Sequence, residues 1–360
     1  MDFLPLMKKK IVYLSAFLSP FRSGAEAMVE EVSQRLSADF DITIVTARLS
    51  RTLPRRDILG GDVHIVRVGV GCSIDKYLFP FLAPFAVRSL KPNIIHAVLE
   101  SYAGLALVFC TFIVPRAKRI LTLQSTNTSF FLGPIHRSAQ RMTGISTVLL
   151  ERAKKYCTAD VMLIPNGIDL SGIDEACSFH AKDSGLVLFV GRLEPMKGVD
   201  TLLRAFAKAI KGLDPSIRLR IVGSGSLQNS LQQLASELEI DHRVLFTGRI
   251  VGKAIFDEYA RAEIFCGLSR SEALGNVFLE AAAAGCAVLA TNVGGIPEIV
   301  QDSVSGVLVP ADDIDAAASA LRTLLGDPSL RARLSSNAKR TAKQYDWSGI
   351  SKLYRDLYRG

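Results

Sequence analysis

Four side chains could do chemistry together. Glu272 and Glu280 stand eight positions apart in SEALGNVFLEAAAAG, and Arg192 and Lys197 stand five apart in GRLEPMKG. Gly275 and Asn276 suit a helix start, and the VFLEAAAA that follows is strongly helix-forming. The spacing predicts a helix that begins near Gly275 and stops at Gly285, followed by a buried strand at CAVLAT. The leading N–H groups of such a helix, from about Gly275 to Val277, lack intrahelical acceptors and make an anion site suited to phosphate. Glu280, four residues after Asn276, falls on the same face one turn further in. A carboxylate there can accept from two vicinal hydroxyls, as an acid does for a ribose in dinucleotide-binding folds. Glu272 precedes the helix, on the far side of the phosphate. The pattern describes a nucleoside diphosphate with a polar group beyond it. The ordinary reading is that a Glu in an alanine-rich helix is solvated and that Arg and Lys on a loop are surface charges.

Such residues need a scaffold. Strands are predicted at Lys10–Ser15, Ile42–Thr46, Val63–Val68, Ile94–Ala97, Arg119–Leu123 and Val161–Ile164. They continue at Leu186–Val190, Leu219–Val222, Val244–Thr247, Ile264–Cys266, Ala287–Ala290 and Val307–Val309, with helices such as Ala25–Leu36 and Tyr102–Phe112 between. Strands alternating with helices argue for an α/β protein with parallel sheets covered on both faces. Residues 171–185 are polar, small and irregular, so the linker is placed there, between domains at 1–170 and 186–344. Arg192 and Lys197 then follow the first strand of the second domain, at the carboxyl end where open α/β sheets bind ligands. The Ser19–Gly24 loop before Ala25–Leu36 is a mononucleotide-binding start of the same kind. IVGSGS, by contrast, lacks the third glycine and the acid of a dinucleotide fingerprint.

Length and composition set bounds. The 360 residues suffice for two cores, and 49% hydrophobic with 22% charged is ordinary for a globular α/β chain. No internal repeat or low-complexity tract is visible. Six cysteines, none in a C-x-x-C pair, argue against a disulfide framework or a zinc site and for thiols in a reducing cytoplasm. Met1–Lys10 has its charges after its apolar run, the reverse of a signal peptide, and the longest apolar run, Ala103–Val114, is too short to span a bilayer. The net charge of +8 is uneven: Met1–Leu170 holds 21 Lys and Arg against 13 Asp and Glu, Ser171–Gly360 holds 22 against 22. An anionic partner for the first half would explain this, whether a membrane surface, an acidic acceptor or nucleic acid; so would a bias for solubility. Tyr77–Val87, YLFPFLAPFAV, flanked by Lys76 and Arg88, either dips into a membrane interface or packs as core, with two prolines interrupting it.

The E-x7-E run with the following Gly294-Gly295-Ile296-Pro297-Glu298, together with G-R-L-x-x-x-K-G at 191–198, resembles the retaining GT-B glycosyltransferases of family 4. The resemblance covers nearly the whole chain and is strongest from Val190 to Val300. It implies two doubly wound Rossmann-like domains facing a cleft, with a last helix at 345–360 crossing back to the first domain. It implies catalytic roles for Arg192, Lys197 and Glu272, and donor contacts from Gly24, Gly191, Ile250, Leu274, Gly275, Asn276, Val277 and Glu280. His96 and Gln124 match positions near the acceptor or sugar. The partners implied are a UDP- or GDP-linked sugar and a glycan, lipid-linked or small-molecule acceptor, with no cofactor, metal or nucleic acid. In the implied mechanism the acceptor attacks the face the leaving group departs from, and a donor phosphate oxygen receives its proton. Two departures stand out: Ser23-Gly24 replaces a usual glycine pair, and Gln124 stands where many relatives have His and cannot carry a proton in this role. His96 reads equally as a hydrogen-bonded core residue. Open alternatives are a sugar-nucleotide epimerase or phosphorylase of the same fold, a nicotinamide-dependent oxidoreductase and an inactive binding protein.

Overall fold

The computed structural model describes residues 8–126, 131–156 and 160–360. The Met1–Met7 part of the leading segment and Cys157 lie outside the described residues. The chain divides into two compact units, Met1–Asn166 with Trp347–Gly360, and Gly167–Asp346.

The first unit carries β1 (Lys10–Leu14), β2 (Asp41–Ala47), β3 (Arg56–Leu59), β4 (Val63–Val68), β5 (Ile94–Val98), β6 (Lys118–Leu123), β7 (Arg141–Gly144) and β8 (Val161–Leu163). Among the described residues these form one sheet ordered β3-β4-β2-β1-β5-β6-β7-β8. All pairings are parallel except β3 on β4. The sheet grows both ways from β1, so the β1–β5 boundary is the point where the winding reverses. Its helices are α1 (Gly24–Leu36), α2 (Asp75–Leu90), α3 (Tyr102–Ile113), α4 (Leu132–Ser138), α5 (Thr147–Lys154) and, from the chain's end, α14 (Trp347–Arg359). Trp347, Ile350, Tyr354, Leu357 and Tyr358 recur at helical spacing and are buried, joining Ile11, Tyr13 and Val29 in the core.

The second unit carries β9 (Asp183–Val190), β10 (Arg218–Val222), β11 (Val244–Gly248), β12 (Ala262–Gly267), β13 (Ala287–Thr291) and β14 (Val307–Val309) in a sheet ordered β11-β10-β9-β12-β13-β14. Every pairing is parallel. This is the doubly wound order of dinucleotide-binding domains, with the reversal between β9 and β12. Its helices are α6 (Leu170–Phe179), α7 (Val199–Ala209), α8 (Gln228–Glu237), α9 (Ala254–Arg261), α10 (Asn276–Ala283), α11 (Ile296–Ile299), α12 (Ile314–Gly326) and α13 (Pro328–Ala342).

The structure corrects three expectations. The supposed linker at 171–185 is mostly α6 and the start of β9, inside the second unit; Asp169 caps α6 by accepting from the Gly172 N–H at 3.0 Å, and Ile173 and Ala176 are buried. β3 and β7 were not predicted, because RDIL is an exposed antiparallel edge and RMTG is too short to alternate. Pro80 and Pro84 do not interrupt Tyr77–Val87: both lie on the buried face of the unbroken α2. No helix among the described residues is long and apolar enough to cross a membrane.

Candidate functional site

In the second unit the reversal between β9 and β12 puts two loops side by side. β9 ends at Val190 and leads through Gly191 and the exposed Arg192 to a 3-10 turn at Pro195–Lys197, then to α7. β12 ends at Gly267 and leads through Ser269 and Glu272 to α10. The loops meet closely. Gly198 adopts φ 62°, and a Cβ there would sit 1.9 Å from the Leu268 carbonyl oxygen, so only glycine fits. The Arg270 N–H donates to the Met196 carbonyl at 2.8 Å.

That apposition delivers the charges. Lys197 Nζ lies 2.5 Å from Glu272 Oε1, which also accepts from Ser269 Oγ at 3.0 Å. Both side chains are nearly buried, at 16% and 10% exposure, so the pair is weakly screened. Gly294 and Gly295 brace the Glu272 backbone from behind. Gly294 has φ 55° with its Cβ position 1.9 Å from the Glu272 carbonyl oxygen, and the Gly295 N–H donates to that oxygen at 3.2 Å.

Helix α10 starts where expected. Gly275 is its N-cap with φ 94°, and Asn276 and Val277 form its first turn, whose N–H groups have no intrahelical acceptor. Leu274 is buried beneath. Glu280 accepts from Tyr259 Oη at 2.8 Å, which holds its carboxylate in one orientation. Burial and the neighbouring Glu280 carboxylate raise the Tyr259 phenol, so it stays a donor. Gly191 donates to the Val222 carbonyl at 3.0 Å, and Ile250 follows β11, so three loop ends collect at the carboxyl edge of β9, β10 and β11. The Glu194 carboxyl, accepting from Ser226 N–H and Oγ at 3.0 and 2.7 Å, is held below the usual carboxylate range and ties the β9 and β10 loops together. A cavity lined by Asp183, Arg218, Asp241 and Arg243 opens at the amino ends of these strands, opposite the site.

Sequence reasoning missed Arg270. It chelates Asp200 at 2.8 and 3.0 Å, reaches Asp312 at 2.8 Å and the Pro195 carbonyl at 2.5 Å, and so clamps the Lys197 turn onto the β12 loop. Its hydrogen bond to Asp200 raises the guanidinium above its ordinary range. In sequence it is one more basic loop residue.

In the first unit Gly24 is the first residue of α1, after the β1 loop. Ser23 caps that helix, its N–H donating to Glu26 Oε2 at 2.7 Å, so Ser23 does the work of a helix start where a second glycine was expected. Gln124 and Asn166 pair reciprocally, each amide N–H donating to the other's carbonyl oxygen at 2.9 Å. His96 does not face a ligand. It is fully buried, with Nδ1 2.7 Å from Tyr358 Oη and Nε2 2.6 Å from Thr122 Oγ1, and its ring stacks on Tyr13. Its assignment as a sugar contact is therefore corrected: the side chain points into the sheet–α14 interface. No cluster of metal-ligating side chains occurs among the described residues.

Comparison with known proteins bears on the same segments. Residues 174–341 match the family described as Glycosyl transferases group 1, and residues 22–171 match Glycosyltransferase Family 4. A D-inositol 3-phosphate glycosyltransferase of Saccharomonospora viridis is 38% identical over 186 residues, 49% of this chain and 43% of the relative. The chain spans about half the length of the curated relatives it matches. Sucrose-phosphate synthase from Thermosynechococcus elongatus superposes with TM-score 0.83 at 20% identity, over 98% of each chain. HepE from Anabaena, solved with UDP and glucose, superposes with TM-score 0.78 at 21% identity, over 98% of this chain and 99% of that one. These likenesses are of fold: two Rossmann-like domains of the GT-B type.

Proposed function

We propose that this chain, which belongs to the family 4 glycosyltransferases, moves a sugar from a nucleotide-diphosphate sugar to an acceptor held by its first unit. The observation that carries the reading is the Lys197–Glu272 pair at the β9–β12 reversal, beside the N-terminus of α10. The α10 N-terminus receives the diphosphate, and Lys197 and Arg192 offset the charge that develops on it as the glycosyl bond breaks. Glu272 faces the transferring sugar, where its carboxylate accepts from hydroxyls. Glu280, oriented by Tyr259, accepts from the ribose hydroxyls. Ile250 lies by the base. A UDP-linked donor is favoured over a GDP-linked one because a structure of the same fold holds UDP and glucose. The acceptor is a glycan, a lipid-linked saccharide or a small polyol; a relative named for D-inositol 3-phosphate supports the last class. The reaction retains anomeric configuration and needs no metal: the acceptor attacks from the leaving-group side and passes its proton to a donor phosphate oxygen.

The test is nucleotide release against a panel of UDP-, GDP- and ADP-sugars, with each acceptor class, with and without a chelator. UDP release that survives the chelator and yields a product with the donor's anomeric configuration by NMR is expected. An inverted product overturns the retaining mechanism, and no release with any donor overturns the transferase reading.

A further inference from the structure

One apolar face of the first unit takes no part in the proposed transfer chemistry. α2 has two distinct sides. Phe79, Pro80, Ala83, Pro84 and Val87 face the core. Ile74, just before the helix, and Tyr77, Leu78, Phe81, Leu82 and Phe85 recur at three- and four-residue spacing and are all exposed, Phe85 by 63%. The neighbouring α3 continues the patch: its Phe109 packs on Phe81 with ring centres 5.2 Å apart. Phe112, three residues on along the same side of α3, is 80% exposed. A contiguous aromatic face of this kind on a helix pair marks an interaction site.

Its charges say what covers it. Lys76, Arg88 and Lys91 bracket α2, and Arg116, Lys118 and Arg119 follow α3. Asp75 is buried and taken up by the loop before α2, its carboxylate accepting from the N–H groups of Val70, Gly71 and Cys72. From Lys76 to Leu150 the sequence holds one carboxylate, Glu100, which is buried against Arg152. A second copy paired through α2 would set cation against cation. An anionic bilayer complements both parts, with phosphates for the cations and the acyl boundary for the rings. We infer that the outer face of α2, with Phe112, lies on an anionic phospholipid surface as a peripheral membrane contact. The face also reaches the ligand end of its own sheet. Tyr77 meets Tyr102 edge-on at 5.6 Å, and Tyr102, which opens α3 after β5, meets Phe17 in the β1 loop at 6.3 Å. If the transferase reading holds, an acceptor anchored in that bilayer enters the first unit there; the docking itself does not depend on that reading.

The test is sedimentation of the purified chain with vesicles of phosphatidylcholine alone or with phosphatidylglycerol, at low and high salt. Pelleting with anionic vesicles at low salt, lost at high salt and absent with neutral ones, is expected. The Phe85→Ser/Phe112→Ser pair, both exposed, should weaken partitioning at least about tenfold. Arg88→Gln and Lys91→Asn should weaken it about fivefold each. Transfer to a water-soluble acceptor should be unchanged in all, which separates a failure of docking from a failure of the transferase reading. Wild-type protein that stays in the supernatant with anionic vesicles at low salt overturns the inference, as does equal pelleting of the natively folded variants. A wild-type dimer that Phe85→Ser/Phe112→Ser converts to monomer also overturns it, assigning the face to a second copy.

Discussion

Lys197 and Glu272 satisfy one another, so in the proposed site a diphosphate would share the ammonium with the carboxylate. On that reading Lys197 is a group whose charge would be oriented before reaction, and orientation in advance is what lowers a barrier. Lys197→Ala should lower kcat by about 10²–10³ and leave circular dichroism native. Near-normal turnover in the variant would remove the lysine from the chemistry. Glu280→Ala should act differently, because the ribose contact proposed for it would be made in the ground state and the transition state alike: KM and the UDP-induced thermal shift should suffer, with kcat little changed. His96 shows the limit of residue-level reading. Its partner Tyr358 lies 262 positions away in sequence, so the sequence alone left a sealed core histidine and a ligand contact equally open. Burial pushes its imidazole down to about 3, against about 6.5 in the unfolded chain. Between those values the unfolded state holds a proton the folded state does not. The stability His96 contributes is therefore full above about pH 6.5 and drains away as pH falls toward 3. His96→Gln should thus gain on wild type in urea denaturation as pH drops from 7 to 4, and an NMR titration midpoint near 6.5 for His96 would refute the burial argument.

At the scale of elements, every strand but β3 and β7 and the α10 start were legible because apolar runs and a Gly-Asn turn are local signals. The tertiary clamps were not. Gly294-Gly295 could be read as part of a motif, yet the reason for glycine there is the Glu272 carbonyl 1.9 Å from the missing Cβ. α6 looked like a linker because its residues are small and mixed, and it is a helix because Ile173 and Ala176 find a core to bury in. The prolines of α2 looked like breakers; placed four apart on its buried side, they sit within a continuous helix. Gly294→Ala forces both a left-handed backbone and a backbone clash. It should cost about 1–3 kcal/mol from the conformation alone, measured by chemical denaturation, with turnover reduced through displacement of Glu272. Arg270→Ala should lower turnover while leaving most of the stability, since its partners are partly solvent-exposed. A variant with unchanged kcat would mean that the loop keeps its place without the clamp.

The two units differ in how the chain closes them, and this decides which can stand alone. Gly167–Asp346 begins and ends in one place, with the Ile168 N–H donating to the Tyr345 carbonyl at 2.8 Å and a parallel bridge from Ile168 to Asp346. It is continuous in sequence, has its own core and holds every proposed donor contact except Gly24. The first unit is discontinuous. Without α14 it would lose Trp347, Ile350 and Leu357 from its core, and Tyr13 and His96 would be left buried without their Tyr358 partner, a polar loss as well as an apolar one. Residues 167–346 expressed alone should therefore fold cooperatively and show a UDP-dependent rise in melting temperature, with no transfer activity. Residues 8–166 alone should lack a cooperative transition, and restoring 347–360 through a flexible link should bring it back. A cooperative melt from 8–166 would show that α14 is an accessory to that core. A folded 167–346 that ignores UDP while the whole chain binds it would place the nucleotide-binding determinants outside the second unit.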